Sequence, residues 1–107
     1  MSENMENSTE IDFQIKNKVK DEIKEPDKYQ VILLNDHYTT TDFVVEVLMK
    51  VFHKPIMEAT SIMLDVHKKG RGVVGLYIYD IARTKIAQVH ELAKQKGFPL
   101  KCSLEKV

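Results

Sequence analysis

The sequence predicts an α+β two-layer sandwich, in which a three-stranded, mostly antiparallel sheet is covered on one face by three helices. Three short runs rich in apolar and β-branched residues, Tyr29–Leu34, Gly72–Tyr79 and Leu100–Glu105, read as strands. Three longer stretches repeat apolar residues at helical spacing. Asn, Asp, Pro and Gly punctuate the junctions, and the order that results is β-α-α-β-α-β.

Residues 1–26 carry seven acidic and four basic side chains, a balance of −3, with few large apolar residues, of which Ile11, Phe13 and Ile15 alternate. Such a segment buries too little apolar area to offset the entropy of ordering it. A flexible N-terminal arm is therefore expected over 1–26 and a folded core over 27–107, with Pro26 at the boundary. In the first strand Tyr29, Val31 and Leu33 alternate with Gln30, Ile32 and Leu34, so at least one face is buried. Asn35, Asp36 and His37 break the strand, because short polar side chains compete for backbone hydrogen bonds.

Thr39 followed three residues later by Asp42 is a variant of the capping box and places a helix start near Thr40. Phe43, Val44, Val47, Leu48, Val51 and Phe52 form the apolar stripe of this helix, which is expected to run to His53 and pack on the sheet. Pro55 suits the first turn of a second helix, with Ile56, Ala59, Ile62, Met63 and Val66 facing inward and Lys68, Lys69 and Gly70 ending it. The second strand carries Gly75 at its centre, where neighbouring chain is expected to come close. Asp80 is expected to cap the third helix, which Ile81, Ala82, Lys85, Ile86, Val89, Leu92 and Ala93 define and Gly97 ends. After Pro99, the residues Leu100, Cys102 and Leu104 alternate along a last strand at a sheet edge.

Composition narrows the function. Lys+Arg and Asp+Glu are both 16, so no global field draws the chain to nucleic acid or to an anionic membrane. No apolar run approaches the 18 to 20 residues of a membrane span, and the polar N-terminus lacks a signal peptide's apolar region, so a cytoplasmic protein is expected. Cys102 stands alone and reads as a small core residue. His37, His53, His67 and His90 show no short ligand spacing, so no metal or other cofactor is expected. Asp36 and His37 are adjacent and rarely aim at one another, and no nucleophile is placed beside them, which argues against an enzyme. What remains is a small binding module. Its candidate site is the corner from the first strand into the first helix, where an amide, a carboxylate and an imidazole stand side by side at Asn35, Asp36 and His37. His67 falls at the end of the second helix, which can lie near that corner in a two-layer arrangement, although a histidine at such a place is more often a partner of the helix dipole or a surface residue.

Several separated motifs carry a resemblance: Val31-Ile32-Leu33-Leu34-Asn35-Asp36, Tyr38-Thr39, Asp42-Phe43-Val44, Met63-Leu64-Asp65-Val66-His67, Gly75, Thr84-Lys85 and Pro99-Leu100-Lys101-Cys102-Ser103-Leu104-Glu105-Lys106. From about Tyr29 to Val107 the chain resembles the bacterial ClpS adaptors, which deliver N-degron substrates to the ClpAP protease. The resemblance implies a pocket for the free α-amino group and bulky first residue (Leu, Phe, Tyr or Trp) of a polypeptide. It implies that Asn35 and His67 touch the amine and that Asp36 helps directly or through water, with His37 where the family commonly has a second Asp. It implies that Thr39, Thr41, Val44, Met63, Val66 and Leu100 line the side-chain pocket. Tyr38, Asp80 and Lys85 match positions that contact the N-terminal domain of the ClpA unfoldase, with Asp80 replacing the usual Glu. The implied partners are thus ClpA and N-degron polypeptides, with the adaptor a monomer.

Two departures from the family pattern carry expectations. An imidazole at 37 in place of a carboxylate predicts weaker binding of an ammonium in acid. Threonine at 41, where the family often has methionine, predicts a wider pocket that admits N-terminal Ile or Val.

Overall fold

The structure, a computed structural model, describes residues 25–107, so all but the end of the expected N-terminal arm lies outside the described residues. Its elements are β1 (Lys28–Leu34), α1 (Thr41–Lys50), α2 (Ile56–Lys69), β2 (Arg71–Ile78), α3 (Tyr79–Lys96) and β3 (Lys101–Lys106), in the predicted order. The sheet runs β2-β1-β3, and both pairings are antiparallel. The strand with the densest apolar run is therefore the central one: Val31, Ile32 and Leu33 are fully buried. Val31 and Leu33 join one core with Phe43, Val44, Val47 and Leu48 of α1, Ala59, Ile62 and Val66 of α2, and Ala82, Val89 and Ala93 of α3.

Local chemistry explains the boundaries, and in places moves them. The cap of α1 is Thr40, whose hydroxyl accepts from the Phe43 amide at 3.1 Å; Thr39, the expected cap, is occupied elsewhere. The helix ends at Lys50, short of His53, because the chain turns at Val51 and Phe52 and reverses at His53 with φ 55°, while the Lys54 amide reaches back to the Leu48 carbonyl at 3.0 Å. Pro55 stands just before the first turn of α2, and Gly70 closes that helix in the left-handed conformation at φ 86°. The third helix begins earlier than expected. Ile78 is its N-cap without a side-chain bond, and Asp80 lies in the first turn, acting on the helix dipole and not as the cap.

The close approach expected at Gly75 falls at Gly72. A Cβ there would sit 2.7 Å from Val66 Cγ2 and 3.0 Å from the Ile62 carbonyl oxygen, so α2 presses directly on β2. At Gly75 the nearest atoms belong to the ring of Tyr77, at 3.3 Å. The register shifts between Val31 and Ile32 and leaves Val74 as the extra residue of a β-bulge.

At the other edge, β3 pairs only with β1, and the Cys102 amide turns outward to donate to His90 Nε2 at 3.1 Å. This bond covers part of an otherwise open strand edge and ties α3 to β3. Burial pushes the Cys102 thiol up to about 12, so it behaves as an inert core group. His90→Leu is expected to lower stability by about 1 kcal/mol, through the lost acceptor, in urea denaturation.

Candidate functional site

The corner after β1 is built by one carboxylate. Asp36 Oδ1 accepts from the Tyr38 amide at 2.8 Å and the Thr39 amide at 2.7 Å, while Oδ2 accepts from the Thr39 hydroxyl at 2.6 Å. Burial pushes the Asp36 carboxyl up, but the Thr39 hydroxyl, the two amides and nearby His37 together outweigh it and hold its pKa below the ordinary 3.8. Asp36 is therefore an anion that organises the loop, with both oxygens already engaged inside it.

A second tie sets the corner against α2. The Asn35 amide donates to the Gly70 carbonyl at 3.0 Å, and Gly70 in turn donates to Val66. Because Gly70 ends the helix whose last turn carries His67, this bond brings Asn35, just after β1, and His67, at the end of α2, to the same cavity. The two were far apart in sequence and depend on the left-handed turn at Gly70 to meet.

Between them opens a cavity of about 240 Å³ lined by Asn35, Asp36, His37, Thr39, Thr41, Val44, Met63, Val66 and His67. Nine of the ten residues expected at the substrate site thus line one cavity. The tenth, Leu100, is 3 % exposed in the core and is not among the lining residues. The volume falls below the range of drug-sized pockets, about 300 to 1,000 Å³, and suits a single side chain. Val44 and Val66 supply buried apolar wall and Met63 a half-buried, adaptable one, while Asn35 and His67 offer acceptors to solvent-facing ligand groups.

The residues expected to face a partner are placed on the surface with different freedom. Tyr38 is 78 % exposed, and Asp80 is exposed on α3. Lys85 is half-buried: its Nζ donates to the Val51 carbonyl at 2.9 Å and lies 5.8 Å from the ring centres of both Phe52 and Tyr77. Lys85 thus holds the end of α1 down on α3, a role its helical spacing did not reveal. Among the described residues no group of three or more His, Cys, Asp or Glu could hold a metal ion, and no helix is long and apolar enough to cross a membrane.

The profile of a family described as ATP-dependent Clp protease adaptor protein ClpS matches residues 24–103. The chain belongs to the ClpS family. It is 55 % identical over 107 residues to the ATP-dependent Clp protease adapter protein ClpS of Syntrophus aciditrophicus, covering 96 % of this chain and 100 % of that one. It is 57 % identical over 91 residues to the ClpS of Acetivibrio thermocellus, covering 85 % and 92 %. The structure of Agrobacterium tumefaciens ClpS2 bound to L-phenylalaninamide superimposes with a TM-score of 0.75 at 38 % identity, covering 78 % of this chain and 100 % of that one. The protein is accordingly an adaptor of the Clp protease and not an enzyme, and its partners are Clp protease components and their substrates.

Proposed function

We propose that this adaptor binds the free α-amino group and bulky hydrophobic first side chain (Leu, Phe, Tyr or Trp) of N-degron substrates and delivers them to the ClpAP protease in the cytoplasm. The observation that carries this reading is the single-residue-sized cavity, which combines apolar walls from Val44, Met63 and Val66 with the acceptors of Asn35 and His67. An ammonium offers three donors and needs such acceptors; the Asn35 carbonyl oxygen and a neutral His67 nitrogen serve, and the charge of Asp36 balances from within the corner. The ligand of the Agrobacterium ClpS2 supports the same chemistry, since L-phenylalaninamide joins a free α-amine and an aromatic side chain to an amide.

Burying a Leu or Phe side chain contributes about 1.5 to 3 kcal/mol, and a hydrogen bond to a charged group roughly 1.5 to 3. Neither half suffices alone after the entropy of association, and together they place the affinity in the micromolar order. A fluorescent peptide beginning with Leu is therefore expected to bind, and its N-acetylated twin to bind at least roughly 100-fold more weakly, in a polarisation titration. Equal binding of the two would refute the amine site.

At the mouth of the cavity Thr41 is exposed on the first turn of α1. Its small side chain leaves room for branching at the first residue. Thr41→Met is expected to reduce binding of Ile- and Val-initiated peptides roughly tenfold relative to Leu; unchanged ratios would show that the mouth does not select. For delivery, Tyr38, Asp80 and Lys85 would face the N-terminal domain of ClpA, with one monomer per domain. Lys85 would contribute there the N–H donors it does not spend on Val51.

A further inference from the structure

A second groove, of about 370 Å³, abuts the first across the corner itself and shares Asn35, Asp36 and His37 with it. Its remaining walls are Leu34, Tyr38, Pro99 and Lys101. These come together because Leu34, the last residue of β1, pairs with Lys101, the first of β3, so the start of β3 and the loop before it lie beside the corner. The lining is mainly apolar, and its most prominent member is an aromatic ring. Tyr38 is 78 % exposed, yet its backbone is fixed by the Asp36 carboxylate at 2.8 Å. An uncovered tyrosine on a held backbone, beside a half-buried leucine and a proline, offers a surface for a flat apolar group.

We propose that this groove is a subsite for the second residue of the substrate and that it prefers an aromatic side chain there. The inference rests on the reading of the first cavity as the N-terminal residue's pocket. With the α-amine held at Asn35 and His67, the next Cα lies one peptide unit, about 3.8 Å, from the first. The shared wall is only the three residues 35–37 wide, so a chain that turns over the corner sets its second side chain into the groove. Leu34, Tyr38 and Pro99 then flank the ring, and the exposed Lys101 ammonium can approach its face. An acidic second residue would meet the same lysine, but an ion pair this exposed adds little. The aromatic contact is the larger effect.

The test uses the full chain without any unfoldase, so that the partner-facing role expected of Tyr38 does not enter. Three peptides beginning Leu-Ala, Leu-Phe and Leu-Asp, otherwise identical, are titrated beside their N-acetylated twins. The Leu-Phe peptide is expected to bind roughly 3- to 10-fold more tightly than Leu-Ala. In Tyr38→Ala that ratio should fall to near one; the side chain is exposed, so the fold survives its loss. Equal affinities for Leu-Phe and Leu-Ala, or a ratio unmoved in Tyr38→Ala, would overturn the subsite while amine-dependent binding of Leu-Ala leaves the first pocket standing. Tightest binding of Leu-Asp would overturn it too, by showing that charge governs the groove. Absence of amine-dependent binding in every peptide would remove the first pocket and this inference with it.

Discussion

His67→Ala is expected to lower the affinity for a Leu-initiated peptide about 10- to 100-fold while leaving the fold nearly untouched. On the proposed function the side chain acts on the ligand and not in the core. His67 is exposed on the last turn of α2 and lines the same cavity as Asn35. A hydrogen bond from an ammonium to its neutral ring nitrogen contributes roughly 1.5 to 3 kcal/mol, and each 1.4 kcal/mol is a factor of ten. What the fold loses is at most the side chain's interaction with the helix C-terminus, under about 1 kcal/mol. Polarisation titration and urea denaturation measure the two separately. The variant should also discriminate less sharply between the free and the N-acetylated peptide, because one of the groups that senses the amine is gone. Wild-type affinity in His67→Ala would place the amine elsewhere.

Much of the architecture could be read from periodicity, since each strand and helix announces its buried face within a few residues and needs no distant partner to do so. The misreadings arise where two neighbours can do the same job or where a contact spans the fold. Thr39 and Thr40 are both good caps; the choice falls to Thr40 because Asp36, three residues before Thr39, claims the other hydroxyl. Asp80 has the chemistry of a cap, but α3 starts at Tyr79 and leaves it inside the first turn. Lys85 is a partner-facing position by resemblance alone, and its environment in the fold depends on Val51 and Phe52, 34 and 33 residues away. The candidate site followed the same division. Asn35, Asp36, His37 and Thr39 form one contiguous corner visible in the sequence, whereas the meeting of Asn35 with His67 is made by the bond from Asn35 to Gly70. The resemblance supplied that meeting before the structure did. Leu100, placed in the pocket by the same resemblance, is buried in the core and is not among the residues lining the cavity, and the groove beyond the corner is invisible until β1 and β3 pair Leu34 with Lys101.

Asp36→Ala is the substitution expected to harm both stability and binding. It removes the acceptor of two backbone amides and one hydroxyl at once, which costs about 1 to 3 kcal/mol given the partial exposure of the corner. The freed loop no longer holds Asn35 at the cavity, and a misplacement of about 1 Å at a preorganised site is enough for a large loss, so affinity for the Leu-initiated peptide should fall tenfold or more. Asp36→Asn separates position from charge. Its carbonyl oxygen can still accept from the Tyr38 and Thr39 amides, so it should keep more of the stability and bind more tightly than Asp36→Ala, while losing the negative charge that the proposed function sets within the corner to balance the ammonium. The sign of the pH effect follows from the lowered pKa of the folded carboxyl. The stability it contributes is complete above the ordinary value of 3.8 and is lost as pH falls below that value through the folded one. The difference in stability between the wild type and Asp36→Asn should therefore be constant from pH 5 to 7 and shrink below about pH 4 in urea titrations. A difference that grows in acid, or an Asp36→Ala variant with wild-type affinity, would mean that this carboxylate neither builds the corner nor serves the ligand.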